Sequence, residues 1–299
     1  MPLIALKVDV DTYRGTREGA MRLAELLARL GVRATFLFSL GPDHTGRAIR
    51  RAFRPGFIGK VKRTSVLEHY GLKTLLYGVL LPGPRIGRRC RGQMQEIARG
   101  GFEVGVHTWD HVRWQDGVAK ADEAWTRREL TRARDEFAEV FGRAPLVHGA
   151  AGWQMNRYVP ELQAQLGFRY ASDTRGDEPF VPLQENGSGS VPQLPTTLPT
   201  LDELIGREDL GNTDPVDHLL ALTLSSGTRA HVFTLHAELE GGKYLPSFER
   251  LLREWQRRGT QLTDLATYAS TLDVSRLPRC RIVAGAVAGR SGTLAVQSA

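Results

Sequence analysis

The residues best suited to chemistry fall in two short segments far apart in the chain, Val8-Asp9-Val10-Asp11-Thr12 and His107-Thr108-Trp109-Asp110-His111. The first follows the apolar run Leu3-Ile4-Ala5-Leu6-Lys7-Val8, which reads as a buried strand. The second follows Phe102-Glu103-Val104-Gly105-Val106, also strand-like. Two histidines at this spacing share one face of a helical turn. One carboxylate and two imidazoles make a ligand set for a divalent metal that keeps positions open for water and substrate. The other carboxylate is then free to act as a base. The bland alternative is that Asp9 or Asp11 caps a turn near Thr12 and the histidines are surface residues. Two carboxylates on a buried strand are costly without a positive partner, which favours the metal. The pattern points to metal-dependent hydrolysis.

Four further sets of residues are candidates. His236 ends the run Val232-Phe233-Thr234-Leu235-His236 and is either a general acid or a structural strand terminus. Asp173, in Tyr170-Ala171-Ser172-Asp173, either caps a turn or orients a neighbouring catalytic group. Trp109, Trp114 and Trp153 line a pocket or pack a core, and Glu238 supports the site or lies at the surface.

Alternating strand and helix patterns must position these groups. Strands are expected at 3–10, 34–38, 102–106, 146–148, 168–171, 231–236 and 261–263. Helices are expected at 16–30, 88–99, 123–141, 158–166, 215–225, 246–258 and 264–268. Repeated β-then-α units imply a parallel sheet, open or closed as a barrel. Asp9, Asp11, His107, Asp173 and His236 all fall at C-terminal ends of these strands, the face that carries the site in a parallel α/β barrel.

Two stretches break the alternation. Residues 41–87 form an insertion after the second strand. It holds Arg47, Arg50, Arg51, Arg54, Lys60, Lys62 and Arg63, with no acidic residue between Asp43 and Glu68, and then an apolar, aromatic stretch at 70–82. A basic patch beside an amphipathic stretch suits a membrane surface. Residues 273–299, rich in Gly, Ala, Ser and Arg, read as a poorly ordered, functionally silent tail. Residues 1–272 are therefore expected to form one barrel domain.

With 299 residues, 41% hydrophobic and 24% charged, the chain can bury a large core. A net charge of +7 favours an anionic partner. Neither a helix-turn-helix, a zinc finger nor interleaved stacking aromatics points to nucleic acid. Two cysteines, Cys90 and Cys280, do not make a disulfide framework and suit a reducing compartment. Neither a bilayer-spanning apolar run nor a signal peptide is apparent, so the chemistry is expected to face the cytoplasm.

Together these segments resemble the polysaccharide deacetylase superfamily, over most of residues 3–268. The resemblance implies a distorted (β/α) barrel with a divalent metal (Zn, Mn, Co or Fe) held by Asp11, His107 and His111. It also implies Asp9 as general base, His236 as general acid and Asp173 as a supporting carboxylate. The chain departs from the family pattern at two places. Val10 separates carboxylates that are usually adjacent, and His148-Gly149-Ala150-Ala151-Gly152-Trp153 lacks the Arg usual in the third motif. Arg14 and Arg175 are substitutes for that Arg by sequence proximity. Within the superfamily, segments such as Phe38-Ser39-Leu40-Gly41-Pro42-Asp43, Leu194-Pro195-Thr196-Thr197-Leu198-Pro199-Thr200 and His236-Ala237-Glu238-Leu239-Glu240-Gly241 are similar to a bacterial deformylase branch. Its members act on an undecaprenyl-phosphate-linked formamido-arabinose destined for lipid A and polymyxin resistance. That similarity implies a lipid-phosphate substrate and a peripheral position on the inner face of the inner membrane. The rival readings are an N-acetyl glycan deacetylase and a non-catalytic membrane- or anion-binding protein.

Overall fold

The computed structural model describes residues 2–48, 72–184, 187, 189–225 and 230–298. The most basic part of the insertion, from Arg50 to Arg63, lies outside the described residues.

Strand β1 (Leu3–Val10) is the centre of the fold. Around it run β2 (Thr35–Ser39), β3 (Glu103–Thr108), β4 (Val147–His148), β5 (Tyr170–Ala171), β7 (Ala230–His236) and β8 (Gln261–Thr263). Their order is β5-β4-β3-β2-β1-β7, with β8 also on β1, and all pairs are parallel. The sheet curls into a half-barrel flanked by helices. Strands β2 and β8 share one edge of β1: β8 pairs with Leu3–Ala5 and β2 with Lys7–Val10. The open side between β5 and β7 is crossed by residues 191–198. There Leu194 N donates to Ala171 O (2.7 Å) and Thr197 N to Val232 O (3.1 Å).

Both faces of β1 are covered, as in other parallel sheets. Ile4, Leu6, Val8 and Val10 face the helix layer, in one core with Leu23 and Leu27 of the Ala20–Arg29 helix and Leu251 and Trp255 of the Leu245–Arg257 helix. Ala5 faces the barrel interior with Leu37, Val147, Val232 and Leu265. A strand alternates with period 2, so Lys7, Asp9 and Asp11 follow Ala5 on that interior face.

The Glu123–Phe141 helix has the bounds expected from sequence. Asp122 caps its start by accepting from Trp125 N (2.7 Å), and Gly142 stops it at φ 69°. The expected 16–30 helix is instead divided. Gly15–Gly19 is a wide turn preceding the Ala20–Arg29 helix. A Cβ on Gly19 would lie 2.0 Å from the Ala237 carbonyl, so this turn passes directly against the loop after β7. Wide turns of this kind are common beside functional sites.

Residues 273–299, expected to be a poorly ordered tail, are instead folded from Val274 to Ser298. Strands β9 (Arg279–Gly285) and β10 (Leu294–Ser298) form an antiparallel hairpin, and β9 pairs with β6 (Val181–Pro182). Backbone bonds Arg175 N to Ala295 O (2.9 Å) and Gln297 N to Arg175 O (2.8 Å) tie the hairpin to the barrel. Periodicity did not mark it because its two short strands lie in a Gly-, Ser- and Arg-rich stretch, and the strand that joins them to the rest of the fold, β6, is nearly a hundred residues away from β9. Among the described residues, no helix is long and apolar enough to cross a membrane.

Candidate functional site

Asp9 and Asp11 leave the C-terminal end of β1, and His107 lies on β3 pointing the same way. His111 is not on a shared helical turn with His107, as the spacing suggested. It is the first residue of the His111–Gly117 helix, while His107 is still in the strand. The strand-to-helix corner brings the rings to 5.3 Å between centroids. Asp110 caps that helix by accepting from Arg113 N (3.1 Å), and its other oxygen meets His44 Nδ1 (2.6 Å).

The three groups converge. His107 Nε2 is 3.2 Å from Asp11 Oδ1, and His111 Nε2 is 3.4 Å from Asp11 Oδ2. One ligand atom from each residue lies within 4.8 Å of the others. His107 Nδ1 donates to the Gly149 carbonyl (2.7 Å). A carbonyl can only accept, so that proton sits on Nδ1 and the Nε2 lone pair faces the cluster, as a metal ligand requires. Asp11 Oδ1 is buried without a hydrogen bond. Burial opposes ionisation of Asp11, but His111 and His107 hold it below the usual carboxylate range. A carboxylate and two imidazoles in this orientation fit a divalent cation.

Asp9 is buried, with Oδ1 lacking a hydrogen-bond partner. It sits opposite His236 in the β1–β7 register. Lys7 Nζ stands 3.5 Å from Asp9 Oδ2, fully buried, and donates to Ser172 O (2.8 Å). Burial pulls the Lys7 ammonium below the usual lysine range, against the attraction of Asp9 and Asp173. A cation therefore does face Asp9, and it comes from β1 itself. Neither proximity candidate takes that place. Arg14 pairs with Glu18 (3.2 Å), and Arg175 binds Glu203 (2.6 Å). Gly149 makes room for the lysine: a Cβ there would lie 2.4 Å from Leu37 and 3.4 Å from Lys7 Cε.

Asp173 is fully buried. It accepts from His148 Nδ1 (2.7 Å), Ala150 N (2.8 Å), Gln163 (2.7 Å) and Gln193 (2.9 Å). Burial opposes its ionisation, but His148 holds it below the usual range. It thus ties β4 to β5 beneath Lys7. Glu238 lies under Asp11. Its Oε1 accepts from Asp11 N (3.2 Å), Thr12 N (2.9 Å) and Thr12 Oγ1 (2.8 Å), and burial, then Asp11, pushes it up to about 8. Trp114 is core, donating to Gln154 O (2.8 Å) beside Trp125. Trp109 is half-buried under the Arg85 guanidinium (5.0 Å).

Trp153 is the unusual residue. It is buried at φ 51°, directly after Gly152 at φ 60°. A bulky side chain in the left-handed region is strained and persists only where its surroundings hold it. Its Nε1 donates to Thr196 Oγ1 (3.1 Å), and its ring meets the His236 ring edge-to-face at 6.3 Å. Lys7, Arg175 and Arg290 lie 5.2, 5.2 and 4.8 Å from its centroid.

The profile of the polysaccharide deacetylase family matches residues 2–171, which hold Asp9, Asp11, His107 and His111. The chain belongs to the polysaccharide deacetylase family. A Shewanella sediminis protein described as the 4-deoxy-4-formamido-L-arabinose-phosphoundecaprenol deformylase ArnD is 33% identical over 295 residues, 99% of this chain and 94% of that protein. A protein of the same description from Wigglesworthia glossinidia brevipalpis is 29% identical, over 95% of this chain and 98% of its own. The family fold is also seen in the crystal structure of a Mycobacterium smegmatis protein described as a polysaccharide deacetylase. The two superpose with a TM-score of 0.62 at 20% identity, covering 93% of each chain.

The sequence reading missed three neighbours of the site, Lys7, Asp202 and Arg290. The first was legible: period-2 alternation places a lone cation on the same face as Asp9. The other two reach the site only through long-range packing.

Proposed function

We propose that this chain hydrolyses the N-formyl group of a formamido sugar carried on a polyprenyl phosphate, with Asp9 as base and His236 as acid. The observation that carries this is the convergence of Asp11, His107 and His111, with Asp9 beside it (Oδ1 3.8 Å from His107 Nδ1) and opposite His236 in the β1–β7 register. The two deformylase relatives support the acyl group and substrate class. The geometry of the cluster supports Asp11, His107 and His111 as ligands, beside Asp9 and His236.

A divalent ion held by Asp11, His107 and His111 would supply a Lewis acid for the formyl oxygen and lower the pKa of a water. Asp9 takes the proton from the attacking water while Lys7 holds its carboxylate in place. His236 delivers a proton to the sugar nitrogen as the C–N bond breaks, giving formate and a free amine. Asp173 fixes the strand ends beneath Lys7.

The substrate's lipid places the enzyme at a membrane surface. Val79, Leu80 and Leu81 are 58%, 76% and 38% exposed at a turn after the Leu72–Leu76 helix. Gly46 N donates to Tyr77 O (3.0 Å) and Arg47 Nε to Gly78 O (3.0 Å), and neighbouring His44 meets Asp110. An apolar tip flanked by basic residues suits the membrane interface. Leu80→Asp is expected to reduce sedimentation with anionic vesicles while leaving hydrolysis of a short-chain soluble analogue unchanged. Equal sedimentation would remove the tip from the reading.

Mass spectrometry of the released acid tests the activity. Formate from the formamido-arabinose phosphoprenol, lost on chelation, is the expected result. Acetate from an N-acetyl glycan would instead move the chain to the glycan deacetylases, and no acid from either would leave the non-catalytic binding reading.

A further inference from the structure

His236 needs its ring held so that one nitrogen faces the scissile bond, and Asp173 is engaged elsewhere. The structure offers another carboxylate. Asp202 Oδ1 lies 3.8 Å from His236 Nδ1. Asp202 sits on the short Leu201–Leu204 helix, whose start is fixed by Thr200 N donating to Glu203 Oε2 (3.0 Å). The backbone of His236 is fixed separately, its N–H donating to Glu240 Oε2 (2.8 Å).

Asp202 is in turn gripped by the C-terminal hairpin. Arg290, in the β9–β10 turn, places Nη1 3.0 Å from Asp202 Oδ2 and donates from Nη2 to Asp202 Oδ1 (3.1 Å). The same side chain donates to Glu203 Oε1 (2.8 Å) and Thr200 Oγ1 (3.1 Å) and covers the Trp153 ring. Gly289, at φ 82°, permits this approach: a Cβ there would lie 2.4 Å from the Glu203 carbonyl. A planar guanidinium with several fixed donors locks a carboxylate better than a flexible ammonium. The hairpin thus meets the same indole that His236 meets at 6.3 Å.

We propose that the C-terminal hairpin completes the active site, with Arg290 holding Asp202 so that Asp202 orients His236 through Nδ1 and leaves Nε2 for the substrate. Asp202 and Arg290 are positioning residues. Their kinetic role rests on the function proposed above, whereas their placement of the His236 ring does not.

The experiment is ¹⁵N NMR of histidine-labelled full-length protein, wild type and the variants Asp202→Asn, Arg290→Ala and Arg290→Lys, with His236→Gln assigning the signals. Expected are shifts of the His236 ring nitrogens in Asp202→Asn and Arg290→Ala, and a smaller shift in Arg290→Lys. Unmoved His236 signals in folded Asp202→Asn would overturn the proposal. Should Arg290→Ala not fold, Arg290→Lys and Asp202→Asn carry the same comparison. In parallel, kcat is measured on a formamido sugar and on an N-formyl nitroanilide, whose leaving group needs less proton assistance. Asp202→Asn is expected to lower kcat about tenfold on the sugar, with KM little changed, and less on the anilide. Equal losses on both would also overturn the orienting role. If the wild type releases no formate, the functional reading fails, and the ring signals still decide whether Asp202 places His236.

Discussion

The two halves of the site are built in different ways. The β1–β3 half gathers Asp9, Asp11, His107 and His111 from the ends of two strands separated only by β2 and from the helix start after β3, and Lys7 reaches Asp9 from two positions earlier on the same strand. The β7 half gathers His236, Asp202, Trp153 and Arg290 from four separated segments, one of them the C-terminal hairpin. The first half needs only two short segments, and the spacing within each is its signature. The second is made by tertiary packing, in which a strained tryptophan is surrounded by three cations. A ligand set must hold tight geometry, which the ends of two strands locked in one sheet supply directly. A proton donor needs only to be aimed, and several distant segments can do that together.

The contrast is broken most severely at the ligands. His107→Ala is expected to lose bound metal and all turnover in the same sample, measured by elemental analysis and formate release. Full metal content would remove His107 from the ligand set. On the other half, His236→Ala is expected to retain metal and lower kcat by about 10²- to 10⁴-fold, the range for removing a general acid. Metal loss there would merge the halves. Lys7 sharpens the first half. Lys7→Met is expected to reduce kcat by about 10²-fold, as small misplacements of reacting groups do, with Lys7→Arg recovering part of it. Equal activity in the two variants would leave Lys7 as mere core.

The smallest effect concerns Glu240, the carboxylate behind His236. Burial pushes it up from 4.5 to about 8. A group whose pKa is raised by folding contributes stability that is fully present below its unfolded value and is lost as pH rises through its folded value. The wild type should therefore lose stability between pH 4.5 and about 8, and Glu240→Gln should lose less across that window. Parallel melting curves for the two proteins would contradict the burial argument.

Much of the fold was legible because parallel strands buried on both faces leave long apolar runs, as in β1 and β7, and because Asp122 and Gly142 punctuate the long helix. Asp9, Asp11, His107 and His236 were legible as candidates because each lies at the end of such a run, and His111 because of its spacing from His107. The hairpin was not, since its strands are short, lie in a Gly-, Ser- and Arg-rich stretch, and join the fold through β6, nearly a hundred residues from β9. His107 and His111 kept their proximity but not the expected helical turn, because a four-residue spacing also spans a strand-to-helix corner. Lys7 was read as part of an apolar run, although the alternation that buries Ala5 aims Lys7 at Asp9.

The most direct measurement sets the two carboxylates of β1 against each other: metal content and formate release for Asp9→Asn and Asp11→Asn, prepared alike. The account predicts that Asp9→Asn keeps stoichiometric metal and loses turnover, while Asp11→Asn loses both. Metal lost from Asp9→Asn, or kept by Asp11→Asn, would contradict the division of labour on which the proposed mechanism stands.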